Sequence, residues 1–258
     1  MPHSFSLSLA AVDILTELHK LGRAPVPFQV PHVGTTIEER ATIRDAVLRD
    51  LDGRGMLRRG RLDADIELAL ATFVRSDLAI TAAAQLDDRQ LFARVASNGR
   101  FAVLVRQDEN LLVFEETRPT GIVPAIVDLL PLTPAAPGQS VTIARPAPQP
   151  QTPRRQDDGY DPFAGVNAPR SQGASSQLRM VERIFEKPKQ RIGQFTAYVR
   201  GGDGKESGLS TLAWFDTEAG RYLMTSNDAA DGQRWLTYAP ADNARIAQQL
   251  YSQLDGRF

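Results

Sequence analysis

The chain of 258 residues contains no cysteine, three histidines (His3, His19 and His32) and four lysines (Lys20, Lys187, Lys189 and Lys205). Without cysteine there are no disulfides, thiolate zinc sites, iron–sulfur clusters or cysteine nucleophiles. An excess of one charge is missing too. Thirty Lys+Arg stand against 31 Asp+Glu, a net charge of -1, which argues against a nucleic-acid binder built on bulk charge. No stretch approaches the roughly 18 apolar residues needed to span a bilayer. Met1 to Lys20 holds no basic segment followed by a long apolar run. Neither membrane insertion nor a signal peptide is therefore expected, and the expected location is the cytoplasm. What remains, 42% hydrophobic and 24% charged residues, is the composition of an ordinary globular chain with a sizeable core.

The periodicity changes along the chain. A short strand at Phe5-Ser6-Leu7 is followed by a helix over about Leu9 to Leu21, with Val12, Leu15 and Leu18 recurring and Gly22 as a stop. Three prolines between Ala24 and Pro31 enforce an extended segment. Thr36-Ile-Glu-Glu39 reads as a capping box opening a helix that runs to Leu51 and ends at Gly53. A turn-rich connection spans Gly55 to Asp63, and a third helix spans Ala64 to Phe73. The period then shortens to two. Leu78–Ala84, Leu91–Ala96, Phe101–Arg106 and Leu111–Thr117 read as strands of an antiparallel meander joined by short polar turns. Pro119 opens a helix carrying Ile122, Ile126, Leu129 and Leu130.

From Arg145 to about Ser176 the chain is rich in Pro, Gln, Arg, Asp, Gly and Ser and too poor in aliphatics to offset ordering costs, which predicts a linker. Beyond it come a helix over Gln177–Glu186, then strands over Gln194–Arg200, Leu209–Phe215, Arg221–Ser226 and Arg234–Tyr238. A last helix opens at Pro240 with Ile246, Leu250 and Leu254 on one face. The order of elements repeats: helix, four strands, proline, helix. Gly99-Arg100-Phe101 can be laid on Gly220-Arg221-Tyr222, and the same displacement puts Phe114 on Trp235, Pro119 on Pro240 and Leu129 on Leu250. We therefore expect an α+β fold of one domain with two pseudo-twofold halves sharing a sheet. The first half covers about 1–144, the linker about 145–176 and the second half about 177–258.

No constellation of reactive residues emerges. There is no G-x-S-x-G elbow, and all three histidines precede residue 33 without a partner motif. Gly201-Gly-Asp-Gly-Lys-Glu206 has Glu where a phosphate loop needs Ser or Thr, so it reads as a hairpin turn. Asp157-Asp-Gly-Tyr-Asp161 lacks calcium-loop spacing. No enzyme, cofactor or metal is expected. The arginines at 40, 44, 49, 54, 58, 59 and 61 could serve a DNA-binding regulator. Interleaved acids (Glu38, Glu39, Asp45, Asp50, Asp52, Asp63 and Asp65) favour a salt-bridged helix face instead. Trp214, Trp235, Tyr198 and Tyr238 fall on strands, where an aromatic side chain is either core or binding anchor.

Several of these segments together resemble the EspG family, chaperones of type VII (ESX) secretion. The resemblance rests on Pro27-Phe28, Pro31, Gly34-Thr35, Glu39-Arg40, Gly55 through Asp63, Asn98 through Phe101, Val127 through Pro131 and Pro137-Gly138. It continues in Gly193-Gln-Phe195, Trp214 through Thr217, Gly220-Arg-Tyr222 and Trp235 through Asp242. It implies a central antiparallel sheet flanked by two helical bundles. It also implies a cytosolic, non-catalytic protein that binds a PE–PPE heterodimer through its PPE subunit, keeps it soluble and directs it to export. A loop between early strands contributes contacts in that family, which here points to Gln85, Leu86, Asp87, Asp88 and Arg89. Trp214, Arg234 and Trp235 are added as aromatic and cationic candidates on the second half. The expected oligomeric state is a monomer or weak dimer.

Overall fold

A computed structural model describes residues 4–145, 176–228 and 234–255. Most of the expected linker, residues 146–175, and the acidic turn at 157–161 lie outside the described residues, as does His3.

The first half opens with β1 (Ser4–Ser8) and α1 (Leu9–Leu18). α1 stops three residues earlier than the sequence predicts. Lys20 adopts a left-handed φ of 53°, and the Leu21 amide reaches back to the Thr16 carbonyl at 2.8 Å, which closes the helix end. α2 (Ile37–Gly53) begins at the capping box, where the Thr36 hydroxyl accepts from the Glu39 amide and the Glu39 carboxylate accepts from the Thr36 amide. The connection after it is a two-stranded ribbon, β2 (Leu57–Arg58) and β3 (Arg61–Leu62). Arg59 and Gly60 at its tip both have positive φ, as a twist-matched tight hairpin requires. α3 (Ala64–Val74) follows, then the meander β4 (Leu78–Leu86), β5 (Arg89–Ser97), β6 (Ala102–Asp108) and β7 (Leu111–Thr117). A 3-10 turn at Pro119–Gly121 leads into the short α4 (Ile122–Val127).

The second half contains β8 (Val141–Arg145), α5 (Ser176–Glu186), β9 (Arg191–Arg200), β10 (Glu206–Gly208), β11 (Leu212–Thr217), β12 (Gly220–Asp228), β13 (Arg234–Pro240) and α6 (Asn243–Leu254). Two features correct the sequence reading. Val141-Thr-Ile143 lies in a strand that pairs with β13, so it sits on the second half's side of the sheet although the first half was expected to run to 144. Pro240 ends β13 opposite Tyr222, and α6 starts later, with the Asp242 carboxylate capping the Arg245 amide at 2.8 Å.

Apart from the β2–β3 ribbon, one sheet joins the strands in the order β1-β7-β6-β5-β4-β9-β11-β12-β13-β8, with β10 beside β9. Read from the β4/β9 seam outward, the two wings have the same construction: three further meander strands, then the strand that opens that half. The seam is antiparallel, from Leu78↔Val199 to Gln85↔Ile192, as two related strands must be when a twofold relates them. The Thr81 hydroxyl crosses it to the Thr196 carbonyl at 3.3 Å.

The alternation of side chains assigns the layers. Leu78, Ile80, Ala82, Phe195, Leu212 and Trp214 share one face, covered by α4 and α6 through Ile122, Ile126, Ile246 and Leu250. The opposite face carries Ala79, Val103, Val105 and Phe114 under α1, α2 and α3. Further along that face, α5 packs Val181 near Ala213, Met224, Leu236 and Tyr238.

Candidate functional site

β4 and β5 meet in a turn of only two residues, Asp87-Asp88, closed by Leu86↔Arg89 pairing. The strands reach further than the sequence predicts, so Gln85, Leu86 and Arg89 belong to them and Asp87 and Asp88 form the exposed tip. Leu86 is buried in the core under α4 and α6 and roots the turn. Both oxygens of Asp87 accept from Arg191 Nε at 2.9 Å. Arg191 also approaches Asp216, with Nη1 3.5 Å from Oδ2.

Asp216 leads inward. It has no exposed surface and pairs with Arg221, also fully buried, with Arg221 Nε 2.6 Å from Oδ1 and Nη2 2.9 Å from Oδ2. The Arg221 guanidinium lies over the Trp214 ring at 4.6 Å and donates to Asn243 Oδ1 on α6 and to the Pro131 carbonyl. A buried charge costs several kcal/mol unless paired and hydrogen-bonded. This pair meets that condition by tying β11, β12, α6 and the segment after α4 into one network. Side chains from both halves therefore converge at the end of the sheet that carries Asp87.

Trp214 requires a correction. Its ring is fully buried beneath Arg221 and inside the main core, so it has no surface to offer a partner. A strand aromatic reads the same in sequence whether it faces helices or solvent, and here α6 covers it. Arg234 and Trp235 are exposed, Trp235 by 39%. They begin β13, whereas Pro240 at its other end aligns with Tyr222 and the β11–β12 turn. At roughly 3.3 Å per residue they lie about 20 Å along the strand from the end that carries the Asp87 network. The structure thus groups Gln85 to Arg89 and separates Arg234 and Trp235 from them.

Sequence reasoning did not pick out Arg191, Asp216, Arg221, Thr133 or Asn243 as a group. All five belong to the segment after α4 or to the second half, and only the sheet brings them to the hairpin.

His32 Nδ1 lies 3.4 Å from Asp13 Oδ1, but Asp13 is already held by Arg40 Nη1 at 2.8 Å and by the Val33 amide at 3.0 Å. Burial pushes the Asp13 carboxyl up, but the Arg40 and Val33 hydrogen bonds outweigh it and hold the group below its ordinary 3.8. Among the described residues, no group of three or more His, Asp or Glu is arranged to hold a metal, and no helix is long and apolar enough to cross a membrane. The arginine-rich region is engaged with its own chain: Arg40 with Asp13 and Glu17, Arg54 with Asp50 and the Ser6 carbonyl, and Arg58 with Asp63.

Comparison with known proteins gives a family and a fold. The model of the EspG family matches residues 8–252. Among solved structures, one that the chain resembles is the Mycobacterium tuberculosis type VII secretion system chaperone EspG5 in complex with a PE25–PPE41 dimer. The TM-score is 0.64 at 14% identity, covering 98% of this chain and 96% of that one. No curated protein matches.

Proposed function

Because the chain belongs to the EspG family, we propose that it is a type VII secretion chaperone that binds a PE–PPE heterodimer through the PPE subunit, keeps it soluble in the cytosol and hands it to its secretion system. The observation that carries this reading is the family match along nearly the whole chain, joined to a shared fold with EspG5, which was solved in complex with a PE25–PPE41 dimer. The physical logic is that of a cover. An exposed apolar tip on a secreted substrate self-associates unless a complementary surface occupies it. That surface needs shape and charge selectivity but no nucleophile, base or metal.

The contact we propose is the β4–β5 hairpin, with Asp87, Asp88 and Arg89 at its exposed tip, Gln85 beside it and Leu86 as its buried root. Arg191 fixes the tip before any partner arrives, so binding does not have to order it. Arg234 and the half-exposed Trp235 form a second, separate candidate contact at the far end of β13.

The test is co-expression with PE–PPE pairs from the same genome, followed by gel filtration with light scattering. A complex with one copy of each chain is expected. Failure to co-migrate with any pair would remove the proposal.

A further inference from the structure

Residues 130–136 leave α4 and cross the end of the sheet that carries the Asp87 network. The Leu130 carbonyl accepts from Asn243 Nδ2 at 3.4 Å, and the Pro131 carbonyl accepts from Arg221 Nη2 at 3.2 Å. The Thr133 hydroxyl donates to Asp216 Oδ2 at 3.1 Å and accepts from Arg221 Nη2 at 3.2 Å. The Pro134 carbonyl accepts from the Arg221 amide at 2.9 Å, and the Ala136 amide donates to the Arg221 carbonyl at 3.1 Å. A Cβ on Gly220 would stand 2.7 Å from the Pro134 carbonyl oxygen, so the two backbones pack directly. Pro131 and Pro134 further restrict φ.

In the middle of this clamp stands Leu132, 92% exposed, more than any other large hydrophobic residue described. A lone exposed leucine is ordinary on a protein surface. What sets this one apart is that a fully buried ion pair, Arg221–Asp216, holds the residues on both sides of it while the side chain itself touches almost nothing. Arg191 links the same Asp216 to Asp87, so the leucine and the acidic hairpin tip belong to one end of the molecule.

We propose that Leu132 is a preorganised apolar anchor that inserts into an apolar notch of a protein partner beside the hairpin contact. The inference rests on the reading above, and the partner is the PE–PPE heterodimer. A loop already held on both sides loses little conformational freedom on docking, so most of the free energy of burying the side chain appears as affinity. Burial of one leucine corresponds to about tenfold to a hundredfold in affinity.

The test compares the unaltered chain with Leu132→Ser and Leu132→Asp, titrating a cognate PE–PPE pair by calorimetry and recording Tm. Ile37→Ser serves as control, since Ile37 is 86% exposed on the first turn of α2. We expect both Leu132 variants to lose about tenfold or more in affinity at unchanged Tm, with the control unaffected. Equal affinity for Leu132→Ser and the unaltered chain would overturn the inference and leave the chaperone reading standing. A loss of affinity that tracks a fall in Tm would overturn it as well, by making Leu132 part of the fold. If the unaltered chain binds no PE–PPE pair, the reading and the inference fall together.

Discussion

Arg94 has no exposed surface, and its Nη2 meets the Ser76 hydroxyl at 3.2 Å and the Glu206 carboxylate on β10. Its Nε and Nη1 find no partner among the described residues. Burial pushes this guanidinium below its ordinary value, and Glu206 opposes that push. Removing one partner of such a pair strands the other charge. We expect Glu206→Ala to lower unfolding stability by roughly 3 kcal/mol in urea denaturation. The double variant Arg94→Met, Glu206→Ala should recover part of that loss, because no uncompensated charge remains. An undiminished stability of Glu206→Ala would show that the pair contributes nothing. Asp13 makes a pH-dependent contribution. Its folded carboxyl is held below 3.8, so the stabilisation is complete above that value and is lost as pH falls through the lower folded value. Asp13→Asn should therefore be less stable than the unaltered chain at pH 7, and the gap should narrow as the pH falls below 3.8. A gap constant down to pH 3 in chemical denaturation would refute this.

At the scale of elements, the close approach of β9 to its neighbours depends on Gly193. A Cβ there would stand 2.6 Å from the Ala84 Cβ and 2.8 Å from Trp214 Cζ2. β4 and β11 flank it, and the Trp214 ring occupies the space a side chain would need. Gly193→Ala forces that ring or the seam to move, and overpacking of this kind costs about 1–3 kcal/mol. A lowered Tm is expected, and an unchanged Tm would mean that the seam yields freely. Many of the residues carrying the resemblance to the EspG family have structural roles of this sort. Asn98 accepts from the amides of Arg100 and Phe101 to shape the β5–β6 turn, and Glu39 closes the capping box. Gly220 takes a φ of 125° against the backbone of residues 134–136. They make the fold recognisable without marking the contact surface.

For the whole molecule, the twofold arrangement places the β4–β5 hairpin, the start of β9 and the end of β11 side by side, and the Asp87–Arg191–Asp216–Arg221 network joins them. Only the Asp87–Arg191 contact faces solvent, and surface pairs of this kind contribute about 0–1 kcal/mol. Reversing Asp87 and Asp88 to Lys is therefore expected to leave the protein folded while weakening or redirecting PE–PPE binding, measured by circular dichroism alongside co-migration. Unchanged binding by the folded variant would place the hairpin outside the interface.

Local rules determined a good deal of this protein from the sequence. The capping box at Thr36, the two-residue period between Leu78 and Thr117, and the repeated order of elements depend on neighbours three or four residues apart or on simple alternation, so they were legible. The end of α1 and the strand at Val141–Arg145 were not. The first turns on one left-handed residue, Lys20, and the second on pairing with a strand some ninety residues later. Candidate site residues divided in the same way. Polar residues announce the hairpin as a turn, and the resemblance alone marked it as a contact, while Trp214 could not be told from an exposed aromatic until α6 was packed over it. The network that links the hairpin to Leu132 draws on both halves of the chain, Asp87 and Thr133 from the first and Arg191, Asp216 and Arg221 from the second. Asp87 and Thr133 come within hydrogen-bonding reach of the second-half residues only when the sheet assembles, and so the tertiary structure alone joined the proposed hairpin contact to Leu132.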